Sequence, residues 1–165
     1  LFRPATADDA SAMVDVHFAS VQAVPPGHYP DDVLSSWSPA PDERRRAWLS
    51  NLVAEHTTLC EVATSGDGSV VGFCLAIPSQ SRLQALYVHP EHAGRGIGAD
   101  LLRAVEARCR AAGTETLELN ASFNAERFYR ANGYIPVRET TQALGDGAAM
   151  GAMLMRKRLV SERPG

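Results

Sequence analysis

The feature that most constrains the fold of this 165-residue chain is the run from Leu86 to Leu102. Leu86-Tyr87-Val88 reads as the end of an apolar strand, and His89 to Ala93 as a polar loop. Gly94-Arg95-Gly96-Ile97-Gly98-Ala99 then places three glycines at alternate positions before an amphipathic helix begins. Glycine has no Cβ, so its backbone reaches positive φ and can approach a ligand closely. The first N–H groups of a helix lack partners inside it, and with the helix dipole they favour phosphate. Alternate glycines also weaken a helix start. That cost favours a phosphorylated ligand here over a turn that only begins a helix.

The same hexapeptide fits the dinucleotide pattern G-x-G-x-x-A, which expects glycines at the strand end and an acid roughly 20 residues on. Here Pro90 and a polar loop intervene, and the nearest acid, Glu118, lies inside Leu117-Glu118-Leu119. A nucleotide-binding oxidoreductase is therefore a competing reading.

The length suits one domain, 1–165, with a core of its own. A net charge of −3 gives no reason to expect nucleic acid or a membrane surface as partner. The longest apolar stretch, Val70 to Ile77, is interrupted by Gly72 and falls far short of the roughly 20 residues of a membrane span. Cys60, Cys74 and Cys109 are odd in number and widely spaced. They match neither a disulfide framework nor a zinc site, so reduced thiols, a cytoplasmic location and no metal are expected.

Periodicity gives the element order. Phe2 to Ala5 reads as a strand. Thr6 and Asp9 start a helix whose apolar positions include Met13, Val14, His17 and Val21, and Pro25-Pro26-Gly27 stops it. Helices follow over Asp31–Trp37 and Asp42–Ala54. Thr58–Ala63 and Ser69–Ile77 form a hairpin, and Leu83–Val88 is the next strand. Gly96–Ala112 is a helix striped by Ile97, Leu101, Leu102, Val105 and Cys109. Thr116–Leu119 is a strand and Ser122–Asn132 a helix. Tyr134–Val137 and Ala149–Met155 are the last strands, joined by a Gly-rich, mobile connection over 140–148. The order predicts an α/β fold, a mixed, mostly antiparallel sheet of about seven strands with one crossover through the long helix.

A second motif lies downstream, Asn120-Ala121-Ser122-Phe123-Asn124-Ala125-Glu126-Arg127-Phe128-Tyr129-Arg130-Ala131-Asn132-Gly133-Tyr134. Together the two motifs, in this order, resemble the GNAT N-acetyltransferase superfamily. The resemblance implies a GNAT-like sheet with a central parallel strand pair. Residues 1–56 would shape the acceptor pocket, 57–120 the central sheet and cofactor loop, and 121–165 the C-terminal helix and strands. It implies acetyl-CoA as donor and a small-molecule or peptide amine as acceptor, and is compatible with a homodimer. The pyrophosphate loop becomes Gly94, Arg95, Gly96, Ile97, Gly98 and Ala99. The family pattern Q/R-x-x-G-x-G/A places Gln or Arg where this chain has Ala93, with Arg95 as a possible substitute. The backbone of Leu86, Tyr87 and Val88 would pair with the pantetheine arm as a strand would. Asn124 resembles the asparagine that reaches the same arm, and Tyr129 the tyrosine facing the thioester sulfur.

Acyl transfer to an amine needs a neutral nucleophile, a stabilised oxyanion and a leaving thiol. A tyrosine, at about 10, is a weaker acid than a thiol at about 8.5. Tyr129 therefore reads as a hydrogen-bond donor to the developing thiolate. Adjacent helix positions point about 100° apart, so Phe128 is expected to face the core and Tyr129 the site. Gln84 could order a water that carries the amine's proton away, or be an ordinary strand residue. Glu61 and Glu118 have the same ambiguity. His17 reads as a core histidine or as part of the acceptor pocket, which Tyr29 and Trp37 could also line. His89 and His92 read as solvent-facing. Arg44-Arg45-Arg46 reads most simply as a solvated helix face, with attraction of an anionic acceptor or of the adenosine 3′-phosphate as the alternative. A non-catalytic acyl-CoA-binding module completes the competing readings.

Overall fold

The computed structural model describes residues 1–159. One seven-stranded sheet runs through them. Its strands are β1 (Phe2–Pro4), β2 (Leu59–Thr64), β3 (Val70–Ile77), β4 (Arg82–Val88), β5 (Thr116–Ala121), β6 (Ile135–Ala143) and β7 (Ala149–Arg158). The spatial order is β1-β2-β3-β4-β5-β7-β6. Neighbours are antiparallel except β4 and β5, the parallel pair. The helices are α1 (Ala10–Gln22), α2 (Asp31–Trp37), α3 (Glu43–Ala54), α4 (Ile97–Ala111) and α5 (Glu126–Ala131).

The central strands of the sheet are buried on both faces. On one side Met13, Val14 and Val16 of α1 and Leu49 of α3 cover Cys60, Val62, Phe73 and Leu75. On the other, Leu101, Leu102, Val105 and Cys109 of α4 cover Cys74, Ala76, Leu117 and Met155. This explains why Val70 to Ile77 is a continuous apolar run: a strand covered on both faces has no solvent side on which to alternate. The α4 stripe packs as its 3.6-residue period requires. Glu106, one helix turn from Leu102 and Cys109, is 1% exposed. Lys157 Nζ donates to both its oxygens at 3.0 and 2.9 Å, and the Tyr134 hydroxyl donates to Oε1 at 3.0 Å. These contacts offset the cost of burying its charge.

Two expectations need correction. The first part of the 140–148 segment, 140–143, is strand, since β6 runs to Ala143 and β7 starts at Ala149. Thr140, Thr141 and Gln142 pair with Ala152, Gly151 and Met150. Only 144–148 turns, closed by Leu144 N–H to the Ala148 carbonyl at 2.8 Å and Gly147 N–H to the Leu144 carbonyl at 3.1 Å. The glycines lie in that turn, while the threonines before it favour strand. The helix expected over Ser122–Asn132 is confined to Glu126–Ala131.

Candidate active site

The centre of the sheet is split. β4 and β5 share a single register pair, Arg82 with Glu118, and Glu118 N–H reaches the Ser81 carbonyl at 2.9 Å. Beyond that point β4 keeps its full ladder with β3 while its other edge faces β5 unpaired. β4 also carries a bulge. Leu75 pairs with Ala85 and Ala76 with Leu83, so Gln84 is an extra residue. A bulge bends the strand and re-aims its groups. The split opens into a cavity of about 720 Å³ lined by both strands, α1, α3 and the 142–146 segment.

At the far end of β4 the chain passes through a short turn over Pro90–His92 into α4. Gly94 and Gly96 have φ of 74° and 81°, the left-handed region that favours glycine. Gly96 is the N-cap of α4 and brings no side-chain cap. The N–H groups of Ile97, Gly98 and Ala99 therefore lack partners inside the helix. Ala93, Gly94, Arg95 and Gly96 are exposed. An ideal Cβ on Gly98 would lie 3.4 Å from the Phe128 ring and 3.7 Å from Val88, so the residue sits where α4, α5 and β4 meet.

Tyr129 is 7% exposed and lines the cavity. Its hydroxyl makes no hydrogen bond among the described residues, and burial raises its pKa well above 10. Phe128 faces the core as expected, but the helical-wheel separation of the two residues does not hold. Both residues join the same apolar cluster, their rings 5.2 Å apart. Phe128 meets Gly98, while the Tyr129 ring lies 5.7 Å from that of Tyr134.

Opposite, side chains converge. The His17 ring lies 4.3 Å from that of Tyr87, and Trp37 Nε1 donates to the Tyr87 hydroxyl at 3.1 Å. Burial pushes the Tyr87 phenol up to about 12. His17 Nδ1 lies 3.0 Å from Arg45 Nη2 and 3.0 Å from Ser38 Oγ. A guanidinium can only donate, so Nδ1 is an acceptor and the ring proton of neutral His17 sits on Nε2. Desolvation, and then the Arg45 charge, lower the His17 pKa to about 4. His17 and Trp37 line the cavity.

Other residues singled out by sequence lie elsewhere or serve the scaffold. Tyr29 is set back from the cavity. Its hydroxyl donates to the Gly151 carbonyl at 2.6 Å and accepts from Phe123 N–H at 2.9 Å, and its ring stacks on Phe123 at 5.6 Å. A Cβ on Gly151 would come within 2.8 Å of the Phe123 ring, so glycine is what permits this clamp. Asn124 is exposed and outside the cavity wall. Glu61 pairs with Arg108 at 2.7 Å, and Glu118 with Arg156 at 2.7 Å. His89 and His92 are half-buried, their rings 6.2 Å apart beside a shallow hollow at the β2–β3 turn.

The arginine run is not uniformly solvated, because Arg45 turns inward to His17, Ser38 and the Pro39 carbonyl. Sequence reasoning also passed over Asn120, whose Nδ2 donates to Gln142 Oε1 at 2.8 Å on the cavity wall. No short-range signal marks that pair, since the residues meet only through β7. Among the described residues no group of three or more His, Cys, Asp or Glu side chains could hold a metal ion. No described helix is long and apolar enough to cross a membrane.

A mostly antiparallel sheet with a single parallel pair is not the doubly wound parallel sheet of a dinucleotide fold. The acetyltransferase (GNAT) domain model matches residues 38–157, and the chain belongs to the GNAT acetyltransferase family. A GCN5-related N-acetyltransferase from Rhodopseudomonas palustris superposes with a TM-score of 0.85 at 28% identity, covering 96% of this chain and 94% of that one. PaiA N-acetyltransferase from Thermoplasma acidophilum, solved with coenzyme A, gives 0.72 at 20% identity, covering 96% and 98%. A phosphinothricin acetyltransferase from Sinorhizobium meliloti, solved with acetyl-CoA, gives 0.72 at 20% identity, covering 100% and 94%. No curated protein sequence matches the chain. The oxidoreductase reading is set aside: the chain is an acetyltransferase.

Proposed function

We propose that the chain acts as one N-acetyltransferase domain that moves an acetyl group from acetyl-CoA to a primary amine in the β4–β5 cleft, the amine attacking directly. The observation that carries this is the unpaired edge of β4 leading to the open N-terminus of α4. These residues suit such a donor: the edge offers strand-like partners to a pantetheine amide, and the N–H groups of Ile97, Gly98 and Ala99 suit a pyrophosphate. Leu86, Tyr87 and Val88 would contribute backbone, Gly94, Arg95 and Gly96 the loop, and exposed Asn124 a contact from the turn before α5. Residues 1–56 would shape the acceptor side, 57–120 the sheet and loop, and the remainder the wall carrying Tyr129.

Acetyl-CoA, when bound, supplies an activated acyl group whose carbon–sulfur bond breaks as the amine nitrogen bonds to the acyl carbon. Tyr129 would place its unpaired hydroxyl by the leaving sulfur. With its pKa raised by burial, it stabilises the thiolate by donating a hydrogen bond and keeps its proton. His17 is too weak a base, at about 4, to deprotonate an ammonium near 10.4. The amine's proton therefore leaves through water, which Gln84, exposed at the bulge, is placed to order. His17 and Trp37 would border the acceptor, and Tyr29 would hold the loop that carries Trp37's helix.

The test is calorimetric titration with acetyl-CoA, followed by thiol release with a panel of amines. Binding with amine-dependent thiol release supports the reading. Binding with no turnover on any amine would leave only a non-catalytic acyl-CoA module, and no binding would overturn it.

A further inference from the structure

We propose that the acceptor is a small zwitterion, a primary amine that also carries a carboxylate and an aromatic or branched apolar body, and that Arg44 and Trp48 select it. The inference rests on the acetyl-transfer reading above and adds the acceptor's class.

The ionic side chains on the cavity wall are Asp42, Arg44, Arg45 and Asp146. His17 beside them is neutral above its pKa of about 4. Two arginines against two aspartates leave no net charge. A polyamine or aminoglycoside would need a surplus of carboxylates to match its several cations. Both carboxylates are also committed locally. Asp42 Oδ1 accepts from Arg45 N–H at 2.8 Å as the cap of α3. Asp146 accepts from Ser36 Oγ at 2.6 Å and from Ala148 N–H at 2.9 Å.

The arginines differ. Arg45 is tied to His17, Ser38 and Pro39, and Arg46 outside the cavity pairs with Asp15 and Ser11. Arg44 makes no hydrogen bond or ion pair among the described residues, yet lines the cavity. Trp48, four residues on, stands beside it on the same helix face. Trp48 also lines the cavity, and it is 63% exposed, the most of any large hydrophobic side chain within a described helix. Leu52 continues the strip. A planar guanidinium suited to bidentate carboxylate binding next to bare indole matches a molecule that is anionic at one point and apolar beside it. At about 720 Å³ the cavity has the size of a small-molecule site. Near the bulge the wall offers the neutral amides Gln84, Asn120 and Gln142, so no carboxylate there holds the amine as ammonium.

The experiment measures coenzyme A release and acetylated product for phenylalanine and leucine, their amides, spermidine, kanamycin and a short peptide. The free acids should exceed their amides in kcat/KM by about tenfold or more. Arg44→Gln should raise KM for the acids by about tenfold with kcat kept, leave the amides unchanged, and be partly rescued by Arg44→Lys. Trp48→Ala should raise KM for acids and amides alike. Both positions are exposed, so thermal unfolding should not move. Amides as good as acids, preference for spermidine, kanamycin or the peptide, or acetyl-CoA binding with no panel member acetylated would each overturn the proposal. Failure to bind acetyl-CoA would instead remove the reading beneath it.

Discussion

The cleft has two walls of different construction. The wall made by the end of β4 and the start of α4 presents backbone: an unpaired strand edge, two left-handed glycines and the first N–H groups of a helix. The wall made by α1, α2, α3 and the 144–148 turn presents side chains brought together from distant positions, such as His17 with Arg45 and Ser36 with Asp146. Backbone donors come with the fold itself and depend on what is missing from the side chains. Side-chain walls depend on tertiary convergence, and can be altered without disturbing the sheet. Substitutions on the first wall should therefore act through conformation and access, and those on the second through charge and proton balance.

The sharpest way to break this contrast is Gly96→Val. A Cβ there would meet nothing within 4 Å of the protein, yet φ is 81°, where a β-branched residue is strained. The loss should come from loop conformation and blocked phosphate approach. Coenzyme A affinity should fall by about 100-fold or more, equivalent to about 3 kcal/mol, in a protein that still folds. Gly98→Ala, at ordinary φ with a 3.4 Å contact to Phe128, should cost far less. Near-normal affinity in folded Gly96→Val, read by calorimetry, would mean that the backbone of this loop does not hold the cofactor.

Tyr129→Phe tests the α5 side chain that lines the cleft between these walls and would meet the leaving sulfur. The ring stays in its cluster with Tyr134 and Phe128, and no hydrogen bond among the described residues is lost. Cofactor affinity should hold, while kcat drops by roughly 10- to 1000-fold, the range for losing a positioned donor. The drop should shrink with a donor whose leaving thiol is more acidic. Equal single-turnover rates for the two proteins would take Tyr129 out of the reaction.

The same contrast explains what could be read in advance. The glycine loop was legible because backbone chemistry leaves its mark as contiguous residues, Gly94 to Ala99. The sheet was legible because Leu101, Leu102, Val105 and Cys109 keep a helical period and Val70 to Ile77 an unbroken apolar run. Arg45 was not, since nothing local tells an inward arginine from its neighbours, solvated Arg44 and an Arg46 that pairs with Asp15 and Ser11. The Asn120–Gln142 pair depends on β7 lying between β5 and β6, which no spacing reveals. Phe128 and Tyr129 were set apart by a wheel argument that assumes one core direction, whereas Phe128 packs toward Gly98 of α4 and Tyr129 toward Tyr134.

On the side-chain wall the expected effect is smaller and depends on pH. His17 has a folded pKa of about 4 against an ordinary 6.5, so the native state resists protonation there. Its contribution to stability is full above pH 6.5 and is lost as pH falls through the window down to about 4. In urea unfolding between those two values, the wild type should lose on the order of 1–3 kcal/mol more than His17→Gln. Parallel pH–stability curves for the two proteins would show that His17 is not held neutral by its burial beside Arg45.

The smallest effect should come from adding a side chain to the wall that works without one. Ala93 is exposed immediately before Gly94, where the family pattern has Gln or Arg, and an arginine there has room to reach a phosphate bound at the start of α4. One charge-assisted contact at an exposed position is worth on the order of 1 kcal/mol, so Ala93→Arg should tighten coenzyme A binding by about fivefold at low salt. The gain should fade as ionic strength rises, because exposed charges are screened. Dephospho-coenzyme A, which lacks the 3′-phosphate but keeps the pyrophosphate, should gain as much if the new contact is to the pyrophosphate. Unchanged or weaker calorimetric affinity would mean that the loop is already saturated, with exposed Arg95 supplying the cation. Arg95→Ala should then cost about what Ala93→Arg failed to add.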